Sequence, residues 1–231
     1  IIYQVYPRSF QDTTGDGIGD LRGIIQHLDY LKDLGIDGIW LSPINPSPDV
    51  DFGYDVSDYN AIDPKFGTLS DFYELLEQAH KRDIRIIMDL VLNHTSDQHQ
   101  WFQESRKSKD NPYHDWYIWR DPAPGGKAPN NWTSMVGGSA WKYDASLGQY
   151  YYHMFFEQQP DVNWRNPQVY AAMLDVFRFW LEKGVDGFRL DIFNEYFKDE
   201  QFRDNPTRRG LHLRAFDRTS HVYDNSQPEM L

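Results

Sequence analysis

Apolar positions along the chain alternate between a strand period and a helix period. Residues 1–6 alternate β-branched and aromatic side chains and predict a first strand. Apolar residues then recur at Leu21, Ile24, Ile25, Leu28, Leu31 and Leu34, the three-and-four spacing of an amphipathic helix that Gly35 stops. A short apolar strand at 39–41 runs into the proline-rich loop SPINPSPDVDFGYD. Thr68 with Asp71 three residues on forms a capping box, which opens a helix to about Arg82. Residues 84–89 are nearly all apolar and predict a strand covered on both faces. Three strand-then-helix units imply a parallel sheet whose functional loops all leave one end.

Residues 95–165 break this rhythm. They are rich in Trp, Tyr, Asn, Pro and Gly, contain APGGKAPNN and GGSAW, and are too long for a plain loop. They predict a small irregular subdomain with short strands such as 149–155. A helix is expected at 167–183, with Met173, Leu174, Phe177, Trp180 and Leu181 inward, leading through Gly184 into the strand GFRLD at 187–191. The chain is then polar and irregular as far as PEML, which reads as a first helical turn with Pro228 early and Glu229 at the favourable end.

A net charge of −12 and a pI near 5.0 argue against nucleic acid or an anionic membrane as partner. Trp, Tyr and Phe make up 16% of the chain, and many sit in polar surroundings where they could stack on sugar faces. With no cysteine there is no disulfide framework. Neither a run of about 18 apolar residues nor a basic-apolar-small leader is visible, and a cytoplasmic location is expected. The missing initiator methionine and the PEML ending suggest that both ends are cut. Asn131-Trp132-Thr133 matches a glycosylation acceptor and is taken as chance.

GFRLD is the stretch with the clearest chemistry. It predicts a buried strand delivering Arg189 and Asp191, two residues apart, to one face. A guanidinium beside a carboxylate favours the ionised form, so Asp191 is the candidate nucleophile; the alternative is a structural Arg-Asp pair. Asp12, Thr14, Asp16, the carbonyl of Ile18 and Asp20 offer oxygen ligands with glycines for the turn, as Ca²⁺ or Mg²⁺ requires. The loop is not an EF-hand, since its twelfth position is Gly23, and it reads equally as an Asp/Gly turn ending in a helix-capping Asp20. Three further clusters fall at strand ends: Asp51, Tyr54 and Asp55; Asp89, Asn93 and His94; and Gln159, Pro160, Asp161 and Asn163, which close the irregular segment. Each alone fits a structural role.

The order and spacing of these clusters, behind the DTTGDGIGD loop and a first strand reading IYQVYPRSF, resemble the α-amylase family of glycoside hydrolases, and within it bacterial α-glucosidases and oligo-1,6-glucosidases. The resemblance covers essentially the whole chain. It implies an α/β fold: the N-terminal half of a (β/α)₈ barrel, residues 1–94 and 165–231, with an irregular α+β subdomain at 95–164 inserted after strand 3, the chain stopping before strand 5. It implies a retaining enzyme acting on short α-linked glucosides, α-1,6 or α-1,4, through a covalent glucosyl-aspartate, with two carboxyl groups about 5 Å apart.

On that resemblance Asp191 is the nucleophile, Arg189 its charge partner, His94 a hydrogen-bond donor to the sugar, Asp51 the holder of glucose hydroxyls, Tyr54 the platform beneath that ring, and Asp89 a brace. Ile192, β-branched, inclines the preference toward α-1,6. A structural Ca²⁺ or Mg²⁺ is implied in the Asp12–Asp20 loop, where Thr14 replaces the Asn or Asp common in relatives. The family's acid/base glutamate and second sugar-binding aspartate belong to strands beyond this chain, so residues 1–231 alone are expected to be inert. Glu195 is a poor substitute, with no apolar pocket evident around it. The alternatives are a sucrose isomerase or transglucosylase of the same family, and a non-catalytic amylase-like transporter subunit. The expected partner is a small oligosaccharide, with neither nucleic acid nor membrane; oligomeric state is not legible.

Overall fold

The computed structural model describes residues 1–208 and 218–219. By contact the chain divides into two compact units, residues 1–91 with 172–191, and 92–171 with 192–231. The turn expected at PEML lies outside the described residues.

The first unit is a four-stranded parallel sheet in the order β1 (Ile2–Val5), β2 (Gly38–Leu41), β3 (Arg85–Leu90) and β7 (Gly187–Leu190). A short helix, α1 (Pro7–Phe10), follows β1; Pro7 stands at its first turn, where a missing N–H costs nothing. The single helix expected over 21–34 is two, α2 (Leu21–Gln26) and α3 (Leu28–Asp33), joined at His27. The His27 ring nitrogen lies 2.9 Å from the Gly23 carbonyl. The His27 backbone N–H bonds back to Ile24 and Ile25 instead, which tightens and interrupts the helix. Leu21, Ile24, Leu28 and Leu31 are buried as their spacing requires, but Leu34, at the frayed end, is half exposed. Gly23 is needed for close approach: a Cβ there would stand 2.1 Å from the Gln11 carbonyl oxygen.

Thr68 and Asp71 form the full capping box of α4 (Leu69–His80), whose Phe72, Leu75, Leu76 and Ala79 are buried. In β3, Ile86, Met88 and Leu90 are buried in alternation, with Asp89 buried between them. The 16-residue helix α6 (Pro167–Glu182) buries Val169, Met173, Val176 and Trp180. Leu181, expected inward, faces solvent. Trp180 turns inward beside it, its indole N–H donating to the Tyr59 carbonyl at 2.8 Å and its ring edge-on to Phe72.

The strand β7 departs from expectation: it is half-buried and ends in a partly exposed Leu190. Among the described residues only β3 pairs with it, so one flank has no neighbouring strand. The other edge, β1, likewise exposes Ile2 and Tyr3.

The second unit carries a three-stranded antiparallel sheet, in the order β4 (Trp119–Arg120), β6 (Gln149–Tyr152), β5 (Trp141–Asp144). Packed around it are Ile118, Trp132, Ala140, Trp141, Tyr152 and Met154, so two tryptophans of the aromatic-rich pattern here fill a core. A one-and-a-half-turn helix, α5 (Gln100–Ser105), was not legible in the polar sequence; His99 caps it, its ring nitrogen accepting from the Trp101 N–H at 3.1 Å. A small pair, β8 (Thr207–Arg208) with β9 (Arg218–Thr219), completes the described strands.

Candidate active site

The C-terminal ends of β2, β3 and β7 bring five side chains together in the first unit. Parallel register sets Asp89 opposite Arg189. One Arg189 nitrogen donates to Asp89 Oδ1 at 3.0 Å and Oδ2 at 3.1 Å, and to Asp191 Oδ1 at short range. Trp40 Nε1 and the Tyr54 hydroxyl also donate to Asp89 Oδ2, at 3.1 and 3.2 Å, and the guanidinium lies over the Trp40 ring, 5.0 Å from its centroid. Asp191 is 8% exposed, and the Asp89 side chain is fully buried.

Burial pushes the Asp89 carboxyl up to about 6, against the opposing pull of Arg189. Burial, then the negative charge of Asp89, raises the Tyr54 hydroxyl well above its ordinary range, so it stays a neutral donor. Asp191 therefore sits beside a fixed cation that a buried carboxylate anchors from behind. That arrangement presents an anionic oxygen at a strand end, where barrel enzymes carry their chemistry. Nothing in the sequence paired Trp40 with Asp89, since it reads as one more large residue in an apolar strand.

Asp51 lies in the loop after β2; its N–H donates to the buried Asp55 carboxylate at 3.1 Å and its carbonyl accepts from Tyr54 N–H at 3.0 Å. Asp55 is thus occupied by the loop itself, accepting also from Ser47 Oγ at 2.7 Å and Val50 N–H at 3.0 Å.

His94 belongs to the second unit, where it forms a bridge with Asp161. It is 2% exposed, with the Asn93 amide 3.3 Å from Nδ1 and the Gln159 amide 3.1 Å from Nε2. The anchor of this cluster is Lys198, which sequence reasoning missed. Its ammonium is 2% exposed, pairs with the wholly buried Asp161 at 2.8 Å and donates to Asn93 Oδ1 at 2.8 Å. Within a run reading YFKDE, a lysine looks solvated, and no local signal marks it as buried.

Ile192, directly after Asp191, has φ 38° and ψ 40°. A β-branched residue in the left-handed region is strained. It turns the chain into the 3₁₀ segment Phe193–Glu195. Glu195 is 8% exposed and accepts from Asn194 Nδ2 at 2.7 Å, a more enclosed setting than the polar sequence around it suggests.

In the Asp12–Asp20 loop, Asp12 Oδ1 accepts the N–H groups of Thr14 and Gly15 at 2.9 and 2.7 Å, and Oδ2 that of Gly17 at 2.8 Å. These amides, Gly17 foremost, hold the Asp12 carboxyl below its usual range. Asp16 Oδ1 accepts from Ile18 N–H at 2.8 Å; Asp20 caps α2 through Gly23 N–H at 2.8 Å and takes both donors of Thr13. Three carboxylates, a hydroxyl and a carbonyl suit a hard cation by chemistry. Among the described residues no three acidic or histidine side chains gather as a metal group. The loop thus has suitable donors, closed on its own amides.

Residues 4–231 match the family described as "Alpha amylase, catalytic domain", and the chain belongs to that family. Its four parallel strands with a subdomain after the third are the N-terminal half of the family's (β/α)₈ barrel. It is 57% identical to an oligo-1,6-glucosidase of Parageobacillus thermoglucosidasius, over 91% of this chain and 37% of the relative. It is 58% identical to a trehalose-6-phosphate hydrolase of Escherichia coli, over 87% of this chain and 36% of the relative. Among solved structures it superposes on the α-glucosyl transfer enzyme XgtA with a TM-score of 0.94 and 52% identity, over 100% of this chain and 45% of that one. On an isomaltulose synthase of Erwinia rhapontici the TM-score is 0.87 at 54% identity, over 89% of this chain and 37% of that one. The chain thus spans about two fifths of the length of the proteins it matches. Among the described residues no helix is long and apolar enough to cross a membrane.

Proposed function

We propose that this chain supplies the nucleophile half of a retaining α-glucosidase. The observation that carries the reading is the Asp191 carboxylate at the end of a parallel strand, gripped by an Arg189 that the buried Asp89 anchors. Asp191 attacks the anomeric carbon of an α-glucoside; the bond to the leaving oxygen breaks and that oxygen takes a proton from a general acid. Water then releases glucose with the starting configuration. Tyr54 presents a ring at the mouth while its hydroxyl is tied to Asp89, Asp51 holds glucose hydroxyls, and His94 donates to the sugar.

The general acid corresponds to a glutamate of a fifth strand in the family, so residues 1–231 by themselves are proposed to be inert. Ile192 and the similarity to oligo-1,6-glucosidases favour short α-1,6 glucosides. Similarity to isomaltulose synthase and to XgtA supports a second outcome, transfer of the glucosyl group to another sugar, because both outcomes share the glucosyl-aspartate. A Ca²⁺ or Mg²⁺ held by Asp12, Thr14, Asp16, the Ile18 carbonyl and Asp20 is part of the proposal, as a structural tie far along the chain from the nucleophile.

The test is a mechanism-based fluoro-glucoside given to the full-length protein, followed by peptide mapping. Label on Asp191 is the expected result; label on any other residue overturns the reading.

A further inference from the structure

Asp51 is flanked by two residues in the left-handed backbone region, Asp49 at φ 64° and Phe52 at φ 49°, and Gly53 follows at φ 105°. For Asp49 and Phe52, which carry a Cβ, such backbones cost free energy and persist only where the surroundings over-determine them. Here they do. The Asp49 carboxylate takes Arg8 at 2.7 Å and Lys65 at 2.8 Å, one cation on each oxygen. Lys65, its side chain only 15% exposed, also pairs with Asp63 at 2.7 Å, and Asp63 Oδ2 accepts the Ser47 N–H at 3.2 Å. The Asp49 N–H donates to Ser47 Oγ at 2.9 Å, whose hydroxyl donates in turn to Asp55. Asp55, fully buried, fixes the N–H groups of Val50 and Asp51. On the far side, a Cβ at Gly53 would lie 3.2 Å from both the Cβ and the carbonyl oxygen of Pro43, so that part of the loop is packed against Pro43. Burial favours a neutral Asp49, yet Lys65 and then Arg8 hold its carboxyl below the ordinary range.

Two cations on one carboxylate are more than an ordinary surface turn needs. Arg8 leaves α1 just after the first strand and Lys65 precedes α4, so elements on both sides of β2 converge on the residue two before Asp51. We propose that Asp49, clamped by Arg8 and Lys65, and Asp55 are positioning residues that hold the 49–53 turn in the strained form from which Asp51 reaches the glucose. The inference rests on the reading of Asp51 as the hydroxyl-binding group. It goes beyond that reading by assigning the placement of Asp51 to the charges that hold Asp49 and to the buried Asp55.

The experiment is a double-mutant cycle in the full-length protein, with kcat and KM for nitrophenyl α-glucoside and thermal melts as readouts. The combined Arg8→Met and Lys65→Met change should lower kcat/KM 10- to 100-fold, with Lys65→Arg recovering most of the loss due to Lys65. In an Asp51→Ala background the same pair should cost less than threefold, because the group being positioned is gone. An equal fold-loss in both backgrounds overturns the proposal in favour of a purely structural clamp. An Asp51→Ala enzyme as active as the parent overturns the substrate-binding role itself and the positioning role with it. If the double variant does not fold, Asp49→Asn, which tolerates the same backbone and removes only the charge, carries the identical comparison.

Discussion

Asp89 and Arg189 stand opposite each other in the parallel pairing of β3 with β7, and one guanidinium nitrogen reaches both carboxylate oxygens, at 3.0 and 3.1 Å. Asp89 is fully buried while Arg189 keeps about a third of its side chain exposed. Removing the cation therefore strands a charge that cannot reach water. We expect Arg189→Met to destabilise the full-length protein by about 3 kcal/mol, read from urea unfolding, whereas the Asp89→Asn, Arg189→Met double change recovers part of the loss.

The same burial makes stability depend on pH. Burial pushes the folded Asp89 carboxyl up to about 6 from the ordinary 3.8 of the unfolded chain, so between those values the folded protein holds a proton that the unfolded chain has released. Stability from this group is complete below the lower value and is lost as pH rises through the upper one. Thermal melts should show the parent losing stability relative to Asp89→Asn between about pH 4 and pH 6, by on the order of 3 kcal/mol, and running parallel above that range.

Asp191→Asn keeps size and shape but removes the attacking anion. Activity of the full-length protein on a nitrophenyl α-glucoside should fall by roughly three orders of magnitude or more. Melting temperature should change little. Residues 1–231 expressed alone should show no turnover in the same assay.

Lys198 tests the second unit. Its ammonium and Asp161 are both buried, so Lys198→Met leaves a carboxylate without a counter-charge. A loss of about 3–5 kcal/mol is expected, together with a raised KM as the Asn93 and His94 amide contacts loosen.

Chelation tests the Asp12–Asp20 loop. A cation present at a hundred times its dissociation constant adds about 2.7 kcal/mol, so EDTA should lower the melting temperature and Ca²⁺ or Mg²⁺ should restore it. Asp12→Ala should abolish that response, and kcat for substrate should move little at temperatures where both forms are folded.

Local physics wrote much of this molecule plainly in the amino-acid order. The Thr68–Asp71 box, the near-continuous burial of β3 and the placement of Arg189 and Asp191 on one strand face depend on residues within a few positions of each other. Periodicity and turn chemistry act over that range. The exposure of Leu181 beside a Trp180 bonded to Tyr59, the Trp40 and Tyr54 bonds to Asp89, and the burial of Lys198 against Asp161 were decided by chain segments tens of residues apart. A side chain's partner across such a distance depends on strand register and on what volume is left to fill. Sequence alone named the carboxylate at the end of GFRLD; only packing in three dimensions determined which buried charge would hold its arginine in place.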